Sequence, residues 1–121
     1  MDDKWQAIHK FWSGFGLTAY DENSVPDDAE FPYITYSASV GDFEQVLVLT
    51  GSIWYRSTSW AGISQMQTLV SRMTSPYKVL PVDGGYLYVA KGTPFAQRIG
   101  DEDDSIKRIY FVFNAEFFTN Y

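Results

Sequence analysis

The chain has 121 residues, 45% of them hydrophobic and 18% aromatic, with a formal charge of −6 and no cysteine. That length and apolar content suit a single domain over 1–121 that buries its core without covalent or metal staples. The lack of a thiol removes a disulfide framework, a cysteine nucleophile and thiolate metal ligation, and the acidic surplus argues against a phosphate-gripping nucleic-acid binder.

The opening MDDKWQAIHKFW is charged and lacks the basic stretch and apolar run of a secretory signal. No stretch reaches the roughly 18 to 20 uninterrupted apolar residues of a membrane span, so a soluble protein is expected. Asp2 or Asp3 can cap a first helix, and Trp5, Ile8, Phe11, Trp12 and Phe15 form its apolar stripe until Gly14 and Gly16, predicting helix over about 3–15. The acidic stretch Asp21 to Glu30, interrupted by Pro26, reads as a solvated loop.

Phe31 to Ser39 predicts a short strand with Pro32 at its start, where a missing N–H is tolerated. Gly41-Asp42 then predicts a hairpin turn into a long strand from Gln45 to Arg56. On that strand Val46, Val48, Thr50 and Trp54 alternate with Leu47, Leu49, Ile53 and Tyr55. Both sets are mainly apolar, so neither face looks designed for water.

The period then changes. Ser57, Thr58 and Ser59 offer hydroxyls to the unpaired amides of a helix start, and Trp60, Ile63, Met66, Leu69, Val70 and Met73 follow at steps of three and four. Pro76 helps to stop this helix. Tyr77 to Val82 predicts an edge strand, Asp83-Gly84-Gly85 a tight turn, and Tyr86 to Lys91 with Pro94 to Ile99 a hairpin around Gly92-Thr93. The tip from Gly100 to Ser105 leads into a last strand, Ile106 to Phe118, on which Ile109, Phe111, Phe113, Ala115 and Phe117 alternate with a mixed set. The expected fold is α+β: a mostly antiparallel sheet of five to six strands with two helices packed against it, in the order α-β-β-α-β-β-β with room for one more strand.

Few residues invite chemistry. His9, the one histidine, has no neighbouring acid in sequence to orient it for a triad or a zinc site. Ser57 to Ser59 are explained by capping, and no G-x-S-x-G elbow surrounds them. Asp101, Glu102, Asp103 and Asp104 lack the spaced ligands, glycine and distal glutamate of an EF-hand loop, and read as a hairpin tip whose charge Arg98 and Arg108 can balance. Gly84-Gly85 is a turn and no phosphate fingerprint. Glu44 and Glu116 could meet across the sheet, but nothing in the sequence positions them for acid–base work.

Several stretches carry a resemblance: Phe31-Pro32-Tyr33-Ile34-Thr35-Tyr36, Trp54-Tyr55-Arg56-Ser57-Thr58-Ser59-Trp60, Gly92-Thr93-Pro94-Phe95-Ala96-Gln97-Arg98 and Ile106-Lys107-Arg108-Ile109-Tyr110. With the chain's length and element order, they resemble the tail terminator, or tail completion, proteins of long-tailed bacteriophages and prophages. The resemblance implies a non-enzymatic α+β subunit without a cofactor. It would form a homo-oligomeric ring, usually a hexamer, at the head-proximal end of the tail, assembled in the host bacterial cytoplasm. Its partners would be the tail tube protein and a head connector or stopper, with genome DNA passing through the lumen.

Under that expectation Val46, Val48, Trp54, Tyr110, Val112 and Phe118 supply ring contacts. The acidic tip Asp101 to Asp104 faces the lumen or a partner, where negative charge lets DNA slide. Two other readings stand beside it: another phage head–tail joining or minor capsid protein, and a small-molecule-binding or enzymatic α+β domain. A closed pocket gathering His9, Tyr55 or Arg108 would favour the last, and a flat apolar sheet face would favour assembly.

Overall fold

The computed structural model describes residues 2–40 and 46–119. Helix α1 (Lys4–Ser13) begins with a reciprocal cap: the Gln6 amide donates to the Asp3 carboxylate at 2.8 Å, and the Asp3 amide donates to the Gln6 side chain at 3.0 Å. Two otherwise orphan donors are satisfied this way. Ile8, Phe11, Trp12 and Phe15 are buried, each contributing roughly 1.5–3 kcal/mol of hydrophobic stabilisation. Trp5 departs from the expected stripe and is 59% exposed.

Strand β1 (Thr18–Asp21) follows, and β2 (Tyr33–Val40), β3 (Val46–Arg56), helix α2 (Ala61–Met73), β4 (Lys78–Val82), β5 (Gly85–Gly100) and β6 (Ile106–Thr119) complete the chain. They form one six-stranded sheet in the order β1-β2-β3-β6-β5-β4, antiparallel except for the β1–β2 pair. The fold is α+β as expected, with β1 added. The expected turn at Gly41-Asp42 and the adjoining Phe43, Glu44 and Gln45 lie outside the described residues.

Between the last strands the structure corrects the sequence expectation. Tyr86 to Lys91 and Pro94 to Ile99 do not form a hairpin; they are one strand, β5, along the whole of β6. Lys91 pairs with Phe113 and Ala96 with Phe111, which leaves Gly92 to Phe95 as a bulge opposite Val112. The turn-forming residues supply extra chain length inside a strand. Gly92 is needed where it stands, because a Cβ there would lie 2.8 Å from Val112 Cγ1 and 3.0 Å from the Val112 carbonyl oxygen.

The odd-numbered residues of β3 from Leu49 onward and those of β6 face the helices. Leu49, Ile53, Ile109, Phe111, Phe113 and Ala115 are all buried there, with Ile34 from β2 and Leu87 and Val89 from β5. Trp12 of α1 lies against Gly51, where a Cβ would come within 2.6 Å of the indole ring. The hydroxyls before α2 act as expected in part: the Ser59 amide donates to Ser57 Oγ and the Ala61 amide to Ser59 Oγ, each at 3.1 Å, while Trp60 itself takes the N-cap position. At the other end Lys91 Nζ reaches over from β5 to donate to the Ser71 carbonyl at 3.0 Å, placing a cation on the unpaired carbonyls of the last turn. Helix α2 seats through Ile63, Val70 and the buried Thr74. This leaves Leu69 and Met73, expected in the core stripe, on its flank at 41% and 39% exposure.

Candidate assembly surface

The second face of the sheet has no helix over it among the described residues, and it carries the even-numbered side chains of β3 from Val48 onward and of β6. Near one end the register aligns Tyr33 of β2, Trp54 of β3 and Arg108 of β6 in one row. Tyr33 stacks on Trp54 with ring centroids 6.3 Å apart, and the Arg108 guanidinium lies 4.7 Å from the Trp54 ring and 5.7 Å from that of Tyr110. Arg108 Nε donates to Ser52 Oγ at 2.8 Å, and Trp54 Nε1 to Thr35 Oγ1 at 2.9 Å. These contacts half-bury Trp54 and Tyr110 without a second layer. Burial, with Tyr20 nearby, pushes the Tyr33 phenol above its ordinary pKa, so the phenol stays protonated beside the Arg108 cation.

The other end is more open. Tyr86 stacks on Phe118 at 5.6 Å, Tyr88 meets Phe118 edge-on at 6.4 Å, and Tyr77 lies 4.7 Å from Tyr88. Phe118 is 41% exposed and Val48, on the neighbouring strand, 36%. A depression of about 220 Å³ opens between these rings, lined by Tyr88, Ala90, Asn114, Glu116 and Phe118.

Of the six residues expected to make ring contacts, Val48, Trp54, Tyr110, Val112 and Phe118 all lie on this one face, by the strand registers. Val46 pairs with Glu116 through its backbone, and its side chain falls outside the described set. Val48 and Phe118 are exposed, whereas Trp54, Tyr110 and Val112 are half-buried among neighbours. Tyr77, Tyr86 and Tyr88 are additions that the sequence analysis did not single out. The signal for Tyr86 and Tyr88 was their alternation with Leu87 and Val89.

The acidic tip is a structured turn. Asp101 Oδ1 accepts from the Asp103 amide at 3.0 Å, and Asp103 Oδ1 accepts from the Ser105 amide at 2.9 Å and from Ser105 Oγ at 2.7 Å. Asp104 pairs at 3.2 Å with Lys107, whose own side chain is buried. Arg98 and Arg108 do not balance this tip as the sequence suggested: Arg98 donates to Ser64 Oγ at 2.9 Å, and Arg108 belongs to the open face. Both arginines sit on the sheet, where the register carries them away from the tip.

The Ser105 hydroxyl and then its amide hold the Asp103 carboxyl below its ordinary pKa. A depressed carboxyl stabilises the fold above its unfolded pKa, and that contribution is lost as pH falls through the folded value. Ser105→Ala is expected to move the Asp103 titration back up toward the ordinary carboxylate range, read by NMR. An unchanged titration would refute the assignment to this hydroxyl.

The residues considered for chemistry are not brought together. His9 is exposed on α1, with Nδ1 2.8 Å from the Tyr36 hydroxyl and Nε2 3.4 Å from Ser13 Oγ. Burial, then the nearby Asp21 charge, raises the Tyr36 pKa and keeps its hydroxyl protonated. Tyr55 faces α2, where a Cβ on Gly62 would come within 2.5 Å of its hydroxyl oxygen, and Arg108 lies on the opposite face. Glu44 lies outside the described residues. Among the described residues no cluster of three or more His, Asp or Glu is placed to hold a metal ion, and no helix is long and apolar enough to cross a membrane.

No protein-family model matches the chain, and no curated protein matches it. Among solved structures it shares its fold with a chain from the virion of the native gene transfer agent (GTA) particle. The TM-score is 0.69 at 18% sequence identity, and the likeness covers 95% of this chain and 94% of the other.

Proposed function

We propose that this chain is a structural subunit of a phage-like virion and that it acts as a tail terminator. In this reading copies of it, six by the resemblance, form a ring at the head-proximal end of the tail tube, end tube polymerisation and join the tail to a head connector. The observation that carries the reading is the open sheet face, where apolar and aromatic side chains from β3, β5 and β6 lie in one surface without a covering layer among the described residues. The fold shared along nearly its full length with a chain of a virion particle supports it, as does the scatter of the few titratable candidates over different faces. The ring contacts are Val48, Trp54, Tyr110, Val112 and Phe118, with Val46 beside them. The acidic tip, Asp101 to Asp104, faces the lumen or a partner.

Removing the gene from the element that encodes it is expected to give tubes of uncontrolled length that carry no heads, visible by negative stain. Particles of normal length with heads attached would overturn the reading. Tails of normal length without heads would overturn the terminator role in favour of a joining role in the same virion.

A further inference from the structure

The chain's cations are nearly all engaged within the fold. Of its nine Lys and Arg residues, only Arg72 and Lys78 make no side-chain hydrogen bond, ion pair or ring contact among the described residues. Arg72 is exposed on α2, and it stands three residues after Leu69 just as Met73 stands four after it, Leu69 and Met73 both being exposed. The three residues make one amphipathic flank with a free guanidinium in it.

The matching feature lies on the other side of the sheet. Glu116 and Asn114 have no side-chain hydrogen bond or ion pair among the described residues, and both open into the depression walled by Tyr88 and Phe118. A carboxylate between aromatic walls, beside a carboxamide, is the chemistry that receives a guanidinium: charge-assisted hydrogen bonds from its edge and stacking on its face.

We propose that two copies of this chain meet head to tail, with Arg72 of one copy entering the Glu116 depression of the next. Leu69 and Met73 then cover the Tyr88–Phe118 rim. The inference rests on the ring reading and specifies the contact that builds it. Mating two copies depression to depression would instead set Glu116 of one against Glu116 of the other, a like-charge contact. Donor and acceptor lie on opposite sides of the sheet, so each copy uses one of each; such a heterologous contact builds a ring where its rotation closes and an open filament where it does not, and the ring reading takes the first. The charge pair selects register, and the desolvated rings with the α2 flank carry most of the affinity.

Charge exchange tests this, using the full chain assembled with the tail tube protein of the same element and read by light scattering and negative stain. Arg72→Glu and Glu116→Arg are each expected to lower assembly by roughly tenfold or more, and the double variant to recover it. Glu116→Gln, which keeps the shape, should weaken assembly in the same direction, with circular dichroism showing each chain folded. Single variants that assemble like the parent would overturn the contact, as would losses that the double variant does not reverse, and either result leaves the ring reading standing. If the unsubstituted chain forms no assembly on the tube, the ring reading fails and this contact fails with it.

Discussion

Gly51→Ala is expected to cost about 3 kcal/mol of stability or to prevent folding, although a Gly-to-Ala change in a strand ordinarily gains about 0.4–1 kcal/mol by restricting the unfolded chain. The sign is reversed by one contact. A Cβ at this position would lie 2.6, 2.7 and 2.9 Å from three carbons of the Trp12 indole. The ring has nowhere to move: it is 1% exposed, stacked on Tyr36 at 6.5 Å and met edge-on by Phe11 at 5.1 Å and Phe113 at 5.6 Å. Either the indole leaves its rotamer or α1 lifts from the sheet, and both expose core.

Trp12→Phe in the same chain should recover much of the loss, because the smaller ring frees the space above β3. It also removes Trp12 Nε1, a buried donor without a hydrogen-bond partner among the described residues, of a kind whose desolvation costs about 1–3 kcal/mol. Urea unfolding of the parent, both single variants and the double variant measures the coupling. Additive losses would show that the close approach of Gly51 and Trp12 does not hold α1 in place.

Much of this architecture was legible from local pattern. The reciprocal cap of α1 follows from Asp3 standing three residues before Gln6, and the strict alternation from Ile109 to Phe117 identifies the buried face of β6 before any partner strand is known. Features that depend on distant pairing were not legible. Strand β1 is four residues long and its neighbours are a glycine-rich turn and an acidic loop, so no period can establish itself. Gly92-Thr93-Pro94 has the composition of a turn, and a bulge needs the same composition; only Val112 on the opposing strand decides between them.

The exposure of Leu69 and Met73 has the same origin. Their spacing fits a buried stripe, but the roll of α2 is set by what lies beneath it. Arg108 is the clearest case for the open face. In sequence it flanks an acidic run and invites local pairing, whereas the β3–β6 register sets it over Trp54, a neighbour that no local window contains.

On the open face the expected result is the opposite of that at Gly51. Val48→Arg should leave the subunit as stable as the parent to within about 0.5 kcal/mol, since the side chain is already 36% exposed and has no role in the core. Assembly should fall by roughly a hundredfold, the equivalent of about 3 kcal/mol. Val48 pairs with Asn114 across the β3–β6 ladder, and Glu116 lies two residues further along β6, so the new guanidinium comes within reach of the carboxylate that the proposed neighbour would use. A ring contact there would have to displace an internal ion pair and bury a second cation, which costs several kcal/mol when the charge is left unmatched. Trp5→Ser is the control: it removes a larger exposed apolar side chain, 59% exposed, from α1 on the helix-covered side of the molecule. Thermal unfolding of both variants and tail joining in a complementation assay separate the outcomes. If Trp5→Ser abolished joining while Val48→Arg did not, the assembly surface would lie on α1, and the uncovered sheet would need another explanation.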